Sequence, residues 1–129
     1  MARRRDKRRS NVQRKRKISE MIWEFAGDFI CMAETVEDRQ SLLNAACSAW
    51  NMACNPAALE KALDQYMREY QRFNANADRA ELAGVRSNLE RLIQKKLEMF
   101  PGDLRQIVGA QLMREGDKDR IEVMSATVG

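Results

Sequence analysis

At 129 residues the chain has room for one domain, and 44% hydrophobic with 33% charged residues describes a folded body with well-solvated helices rather than a disordered polymer. The net charge of +4 conceals a partition: residues 1 to 17 carry ten basic side chains against the single Asp6, a net of +9, while the remainder carries 13 basic and 18 acidic, a net of −5. Three cysteines without framework spacing, no apolar stretch after the basic start and no run of roughly 20 apolar residues argue against secretion, structural disulfides and a membrane span.

The basic residues of the first segment are Arg3, Arg4, Arg5, Lys7, Arg8, Arg9, Arg14, Lys15, Arg16 and Lys17. Only Ala2 and Val12 are apolar between positions 2 and 17, so the segment lacks the amphipathic helix of a mitochondrial transit peptide. It reads as a disordered basic arm over residues 1–17.

From Ile18 the pattern changes. Ile18, Ile22, Phe25, Phe29 and Met32 recur at helical spacing, with Trp23 and Ile30 widening the apolar arc, which predicts a helix from about Ser19 to Glu34. Thr35, with Asp38 three residues on, offers an N-cap hydroxyl and a carboxylate in the positive first turn. The second helix then runs from Val36 to about Ala53, with Leu42, Leu43, Ala46, Trp50, Ala53 and Cys54 on its apolar face. Asn55-Pro56 punctuates the chain as a cap followed by proline at the first helical position. A third helix is predicted from Pro56 to Phe73, with Leu59, Ala62, Leu63, Tyr66, Met67, Tyr70 and Phe73 as its stripe.

Asp78 and Glu81 have the spacing of a capping box ahead of Leu82, Val85, Leu89, Leu92, Ile93 and Leu97. That fourth helix must stop near Phe100, before Pro101-Gly102. Beyond it Leu104, Ile107, Val108 and Leu112 fit a helix, but Gly109, Gly116 and the β-branched run Ile121, Val123, Thr127 and Val128 favour strands. The reading adopted is a hairpin with arms at 105–113 and 120–128 and a turn at 115–119. The expected fold is mainly α: a small antiparallel bundle of three to four helices over 18–100, with a C-terminal β-hairpin within 101–129 that packs on the helices or extends from them to pair with another chain, since a lone hairpin is marginal in water.

Histidine is absent, which removes Ser-His-Asp and Cys-His catalysis, the usual zinc sites and histidine-containing di-iron bundles. Cys47 and Cys54 lie seven apart, about 10 Å along a helix, too far for one disulfide or one metal ion; they read as small buried hydrophobes. Glu34 and Glu37 have the spacing of a magnesium-binding pair, but Thr35 between them is the expected cap, and Glu60 and Asp64 on the next helix are differently spaced around Lys61. A magnesium-dependent carboxylate hydrolase is therefore the least favoured of three functional readings. Asn74, Asn76 and Asp78 alternate like a calcium loop, yet Arg79 stands where that loop needs glycine and Val85 where it needs glutamate. No metal or other cofactor is expected.

Glu20, Glu24 and Asp28 form an acidic stripe at i, i+4 and i+8, read as a solvated face with the chain's own arm as the nearest cationic candidate. Trp23 and Trp50 sit on or beside apolar stripes and are read as core rather than as base-stacking residues. The functional lead that remains is the ten-residue basic set of the arm, which can neutralise nucleic-acid phosphates but holds no aromatic for stacking and no zinc ligands for base readout. The leading expectation is a nonenzymatic accessory protein, soluble and cytoplasmic or, in a eukaryote, nuclear, that binds DNA or RNA backbone through the arm and a protein partner through its body. Its rival is a helical interaction module that homodimerises through the hairpin or the Tyr/Met stripe.

Overall fold

A computed structural model of the chain describes residues 17–126. The arm expected at 1–17 lies outside the described residues except for Lys17, as do Thr127 and Val128 of the expected second strand. The order of elements is α1 (Ile18–Ile30), α2 (Val36–Ala53), a 3₁₀ turn (Pro56–Ala58), α3 (Leu59–Phe73), α4 (Arg79–Met99), β1 (Gln106–Glu115) and β2 (Lys118–Ala126). This is the expected antiparallel helical bundle with a C-terminal hairpin.

Each helix starts and stops for a local reason. Lys17, extended ahead of α1, gives its carbonyl to the amides of Glu20 and Met21. The helix ends four residues sooner than its apolar spacing predicts. Its last turn tightens, with Met32 N–H donating to Phe29 and Ala33 N–H to Ile30, and Arg39 Nε donates 2.8 Å to the Ala33 carbonyl, turning the chain. Met32, assigned to the stripe by spacing, is consequently 76% exposed.

Thr35 caps α2 by accepting from Asp38 N–H at 3.1 Å. At Asn55-Pro56 the expected helix start is corrected: Asn55 makes no side-chain cap, Ala58 N–H bonds back to Asn55 at 3.1 Å in 3₁₀ fashion, and the α-helix begins at Leu59. Asp78 caps α4 by accepting from Glu81 N–H at 2.8 Å. Glu81 does not close the predicted capping box, because its carboxylate accepts the Tyr70 hydroxyl.

The core belongs to α1, α2 and α4, with Ile22, Phe25, Ile30, Leu43, Ala46, Trp50 and Leu89 almost wholly buried. Helix α3 is peripheral: Leu63 is its one buried residue, Tyr66 and Met67 are half-buried, and Phe73 at its end is exposed. The hairpin is longer and tighter than expected. Its strands pair from Gln106 with Ala126 to Glu115 with Lys118, with an irregularity between Ile107 and Gly109. The connection is only Gly116-Asp117. Gly116 adopts φ +63°, and no non-glycine residue in the described chain has positive φ, which is the pattern of a type II′ hairpin turn.

The outer edge of β1 does not face water. Asn51 accepts from Ile107 N–H at 2.7 Å and donates to Ile107 C=O at 2.9 Å. Gln40 accepts from Leu112 N–H at 2.7 Å and donates to Ala110 C=O at 3.1 Å. Eleven helical residues advance about 16 Å, as do about five strand residues. The two amides of α2 therefore match the strand's spacing and act as a surrogate neighbouring strand. Asn51→Leu would leave both Ile107 groups without partners at about 1–3 kcal/mol each; we expect a loss of about 2–5 kcal/mol, read as a lower urea midpoint with an unchanged m-value.

Candidate functional site

Of the ten basic positions singled out by sequence, Arg3, Arg4, Arg5, Lys7, Arg8, Arg9, Arg14, Lys15 and Arg16 lie outside the described residues. Lys17 is exposed at the mouth of α1. The segment therefore joins the body beside the acidic positions Glu20 and Glu24, which α1 carries one turn apart.

A connected group of polar side chains lies where α4 hands over to β1. Lys96 is fully buried, although it falls in the heptad register of Leu89 on the apolar face of α4. Its ammonium donates to the Asp103 carbonyl at 2.5 Å and stands 4.9 Å from the centre of the Trp50 ring. Trp50 in turn donates its indole N–H to the Arg105 carbonyl at 2.8 Å, meets Phe25 edge-on at 5.7 Å and packs against Phe100 at 5.8 Å. Arg105 grips Asp103 through Nε at 3.0 Å and Nη2 at 2.6 Å and reaches Met21 of α1 through Nη2 at 3.1 Å. Burial opposes the Asp103 charge, but the side-chain and backbone hydrogen bonds from Arg105, aided by attraction to Arg105 and Lys96, more than offset it and hold the carboxyl below its ordinary range.

This cluster is built to hold a loop. Its charges are spent on one another and on the Asp103 carbonyl, and the Trp50 indole takes the Arg105 carbonyl. Its thiol, Cys54, is half-buried with Sγ 3.7 Å from the Asp103 carbonyl and 3.6 Å from that of Arg105. Burial foremost pushes that thiol up; Lys96 opposes the rise and Asp103 adds to it. Cys47 is buried as expected, and burial pushes it up to about 12. Cys31 is the exposed thiol, and all three are free.

The other sequence candidates are occupied locally. Glu60 and Asp64 of α3 are joined by Arg86 of α4, at 3.3 and 3.0 Å, and Glu90 lies 3.8 Å from the same guanidinium. Glu34 precedes the Thr35 cap, whereas Glu37 stands in the first turn of α2. Asn74 closes α3 by donating to the Tyr70 carbonyl at 2.9 Å, and Asp78 caps α4. Asp119 is paired with Arg39. Among the described residues no three His, Cys, Asp or Glu side chains are grouped as a metal ion would require, and no helix is long and apolar enough to cross a membrane.

Two tryptophans read alike in sequence part company. Trp50 is the centre of the core, but Trp23, expected in the interior, is 36% exposed beside β2. Among the described residues the arc of α1 is wider than the neighbours that cover it. A 370 Å³ pocket also opens between the helices, where Phe29, Leu42, Tyr66, Tyr70, Val85 and Leu89 meet, with Ser41, Asn44 and Asn88 as its polar lining.

Comparison with protein families, curated proteins and solved structures finds no match to this chain.

Two outcomes follow from the cluster geometry. In native buffer one thiol, Cys31, reacts rapidly with a chromogenic disulfide reagent, and the other two react at that rate only after denaturation, since the thiolate is the reactive form and burial disfavours it. A carboxyl depressed on folding contributes stability that is complete above its unfolded pKa of about 3.9 and is lost as pH falls through the lower folded value. Asp103→Asn is accordingly destabilised at pH 7 and shows a flatter loss of stability below about pH 4 than the parent, as read from urea midpoints across that range.

Proposed function

We propose that the chain is a nonenzymatic accessory protein that engages the backbone of DNA or RNA through the basic segment, Arg3 to Lys17, and a protein partner through its helical body. The observation that supports this reading is the charge partition: +9 within seventeen residues, joined to a body of net −5. Such a concentration of Lys and Arg neutralises phosphates and releases counterions without reading sequence. The remaining polar groups fit the same role, because Lys96, Asp103 and Arg105 are committed to holding the α4–β1 loop and, on the surface, Arg86 is paired with Glu60 and Asp64.

One feature favours a second reading. The outer face of the hairpin exposes Val108 and Met124, and Leu104 ahead of it is exposed as well; a second copy covering these residues would make a homodimer. Sedimentation across micromolar concentrations separates the two, because a monomer throughout excludes self-association.

The protein should bind a short DNA duplex with a slope of log K against log salt of roughly −5 to −7, the value for about six to eight neutralised phosphates. Deleting residues 2–17 should abolish this binding in fluorescence anisotropy while leaving the thermal midpoint nearly unchanged. No binding by the full chain at about 0.1 M salt, where surface attraction still acts over about 10 Å, would end the proposal.

A further inference from the structure

Helix α3 meets the bundle tightly at Leu63, its one buried residue, but at Tyr66 and Tyr70 it borders the pocket of about 370 Å³ between the helices. All four helices contribute walls: Phe29 from α1, Ala45 from α2, the two tyrosines from α3 and Val85 from α4. The facing residues on α2 and α4 are small, which is why the space stays open. It is many times larger than the share of one water molecule, about 30 Å³. Water against such walls finds few partners, and its displacement by an apolar group is favourable.

The polar groups of the pocket are few, neutral and largely unspent. Among the described residues the Tyr66 hydroxyl and the Asn88 side-chain amide make no hydrogen bond. Asn44 accepts from Gln40 at 2.9 Å through Oδ1, which leaves its own N–H groups to donate. Tyr70 is different, since its hydroxyl is held by Glu81 at 3.1 Å and its ring serves as a fixed wall. Burial pushes the Tyr66 hydroxyl up, so it stays protonated near neutral pH. None of the ten lining residues is charged, in a chain of which a third is.

We propose that this pocket binds a small, uncharged, planar aromatic molecule that carries a hydrogen-bond donor and an acceptor side by side on one edge, the chemistry of a lactam-type heterocycle. A charged ligand would lose hydration here and meet no counter-charge. Phe29, Tyr66 and Tyr70 suit an aromatic ring, which they meet edge-on or in offset stacking. The Asn88 amide presents an acceptor oxygen and a donor nitrogen in one plane, and such a group pairs bidentately with a donor and acceptor set side by side. The volume lies at the low end of the roughly 300–1,000 Å³ of ligand pockets, which selects one or two fused rings over a larger molecule. Such binding is independent of the basic segment and of any polyanion that the segment engages.

The test is ¹H–¹⁵N NMR of the ¹⁵N-labelled protein, titrated with three probes that share one bicyclic frame. Carbostyril is a neutral lactam whose N–H adjoins its C=O, quinoline is neutral with a ring acceptor alone, and naphthoate bears a carboxylate. Carbostyril should shift the side-chain amide signals of Asn44 and Asn88 saturably. Quinoline should bind at least about tenfold more weakly, because it leaves the Asn88 amide half paired, and naphthoate should fail to compete with carbostyril. Asn88 is exposed, and leucine is a good helix former. Asn88→Leu should therefore keep the backbone spectrum while abolishing the preference for carbostyril over quinoline, and Asn88→Ala offers the same comparison with a smaller side chain. The proposal is overturned if carbostyril at its solubility limit moves neither asparagine signal, if naphthoate binds as tightly as carbostyril, or if the preference over quinoline persists in both Asn88 variants.

Discussion

The fold depends on α2 doing for β1 what a third strand would do. A two-stranded hairpin alone is marginal in water, and its free edge would carry unpaired amides and carbonyls into the bundle. Gln40 and Asn51 answer that edge with four hydrogen bonds, and Trp50, next along the same helix, donates to the carbonyl of Arg105 just before β1. The three side chains are polar at their tips and sit on the helix that also supplies Leu43, Ala46 and Ala49 to the core. Burying the helix and pairing the strand are one event. Neither can be lost without exposing the other.

The Lys96 cluster extends this arrangement to the loop that feeds the strand. Chain leaving α4 at Met99 must turn and enter β1 at Gln106 within six residues. Lys96 holds the Asp103 carbonyl from inside the helix, and Asp103 holds the guanidinium and amide of Arg105. A fully buried ammonium is costly unless its protons are matched; here a carbonyl, an indole face and the nearby Asp103 carboxylate share it. The cation fixes the path of the loop, and that path places the Arg105 carbonyl at the Trp50 indole.

Much of this was legible from spacing. Helix α2 has the bounds that the Thr35 cap and the apolar face predict, the Asp78 cap starts α4 one residue on, and Pro101-Gly102 stops it. Where local signals conflict with packing, spacing misleads. It carries α1 through to Glu34 because Met32 fits the period, but the turn held by Arg39 ends the helix first. It counts Phe73 and Trp23 as core because aromatic residues on a stripe usually are, although α3 is packed on one side only and β2 covers only part of α1. The burial of Lys96 and the inward place of Asp119 were missed for the opposite reason: both are charged. Yet Lys96 stands seven residues after Leu89, and Asp119 stands two before Ile121 on the inward face of β2. A charged residue in the register of buried ones is a signal in itself, and the partner it needs can be sought in the rest of the chain.

The partition of charge bears on how the body and the basic segment could work together. On the proposed reading the anionic body repels the nucleic acid that the segment attracts, and the two terms would largely oppose each other if they acted over the same distance. Screening separates them, since surface charges fade over about 8–10 Å at physiological salt, whereas sixteen residues of chain can reach as far as about 50 Å. Phosphates bound along the outer part of the segment would lie beyond the field of the body. Near the root, where the two fields overlap, the acidic wall of Glu20, Glu24 and Asp119 lies alongside the connection to Lys17.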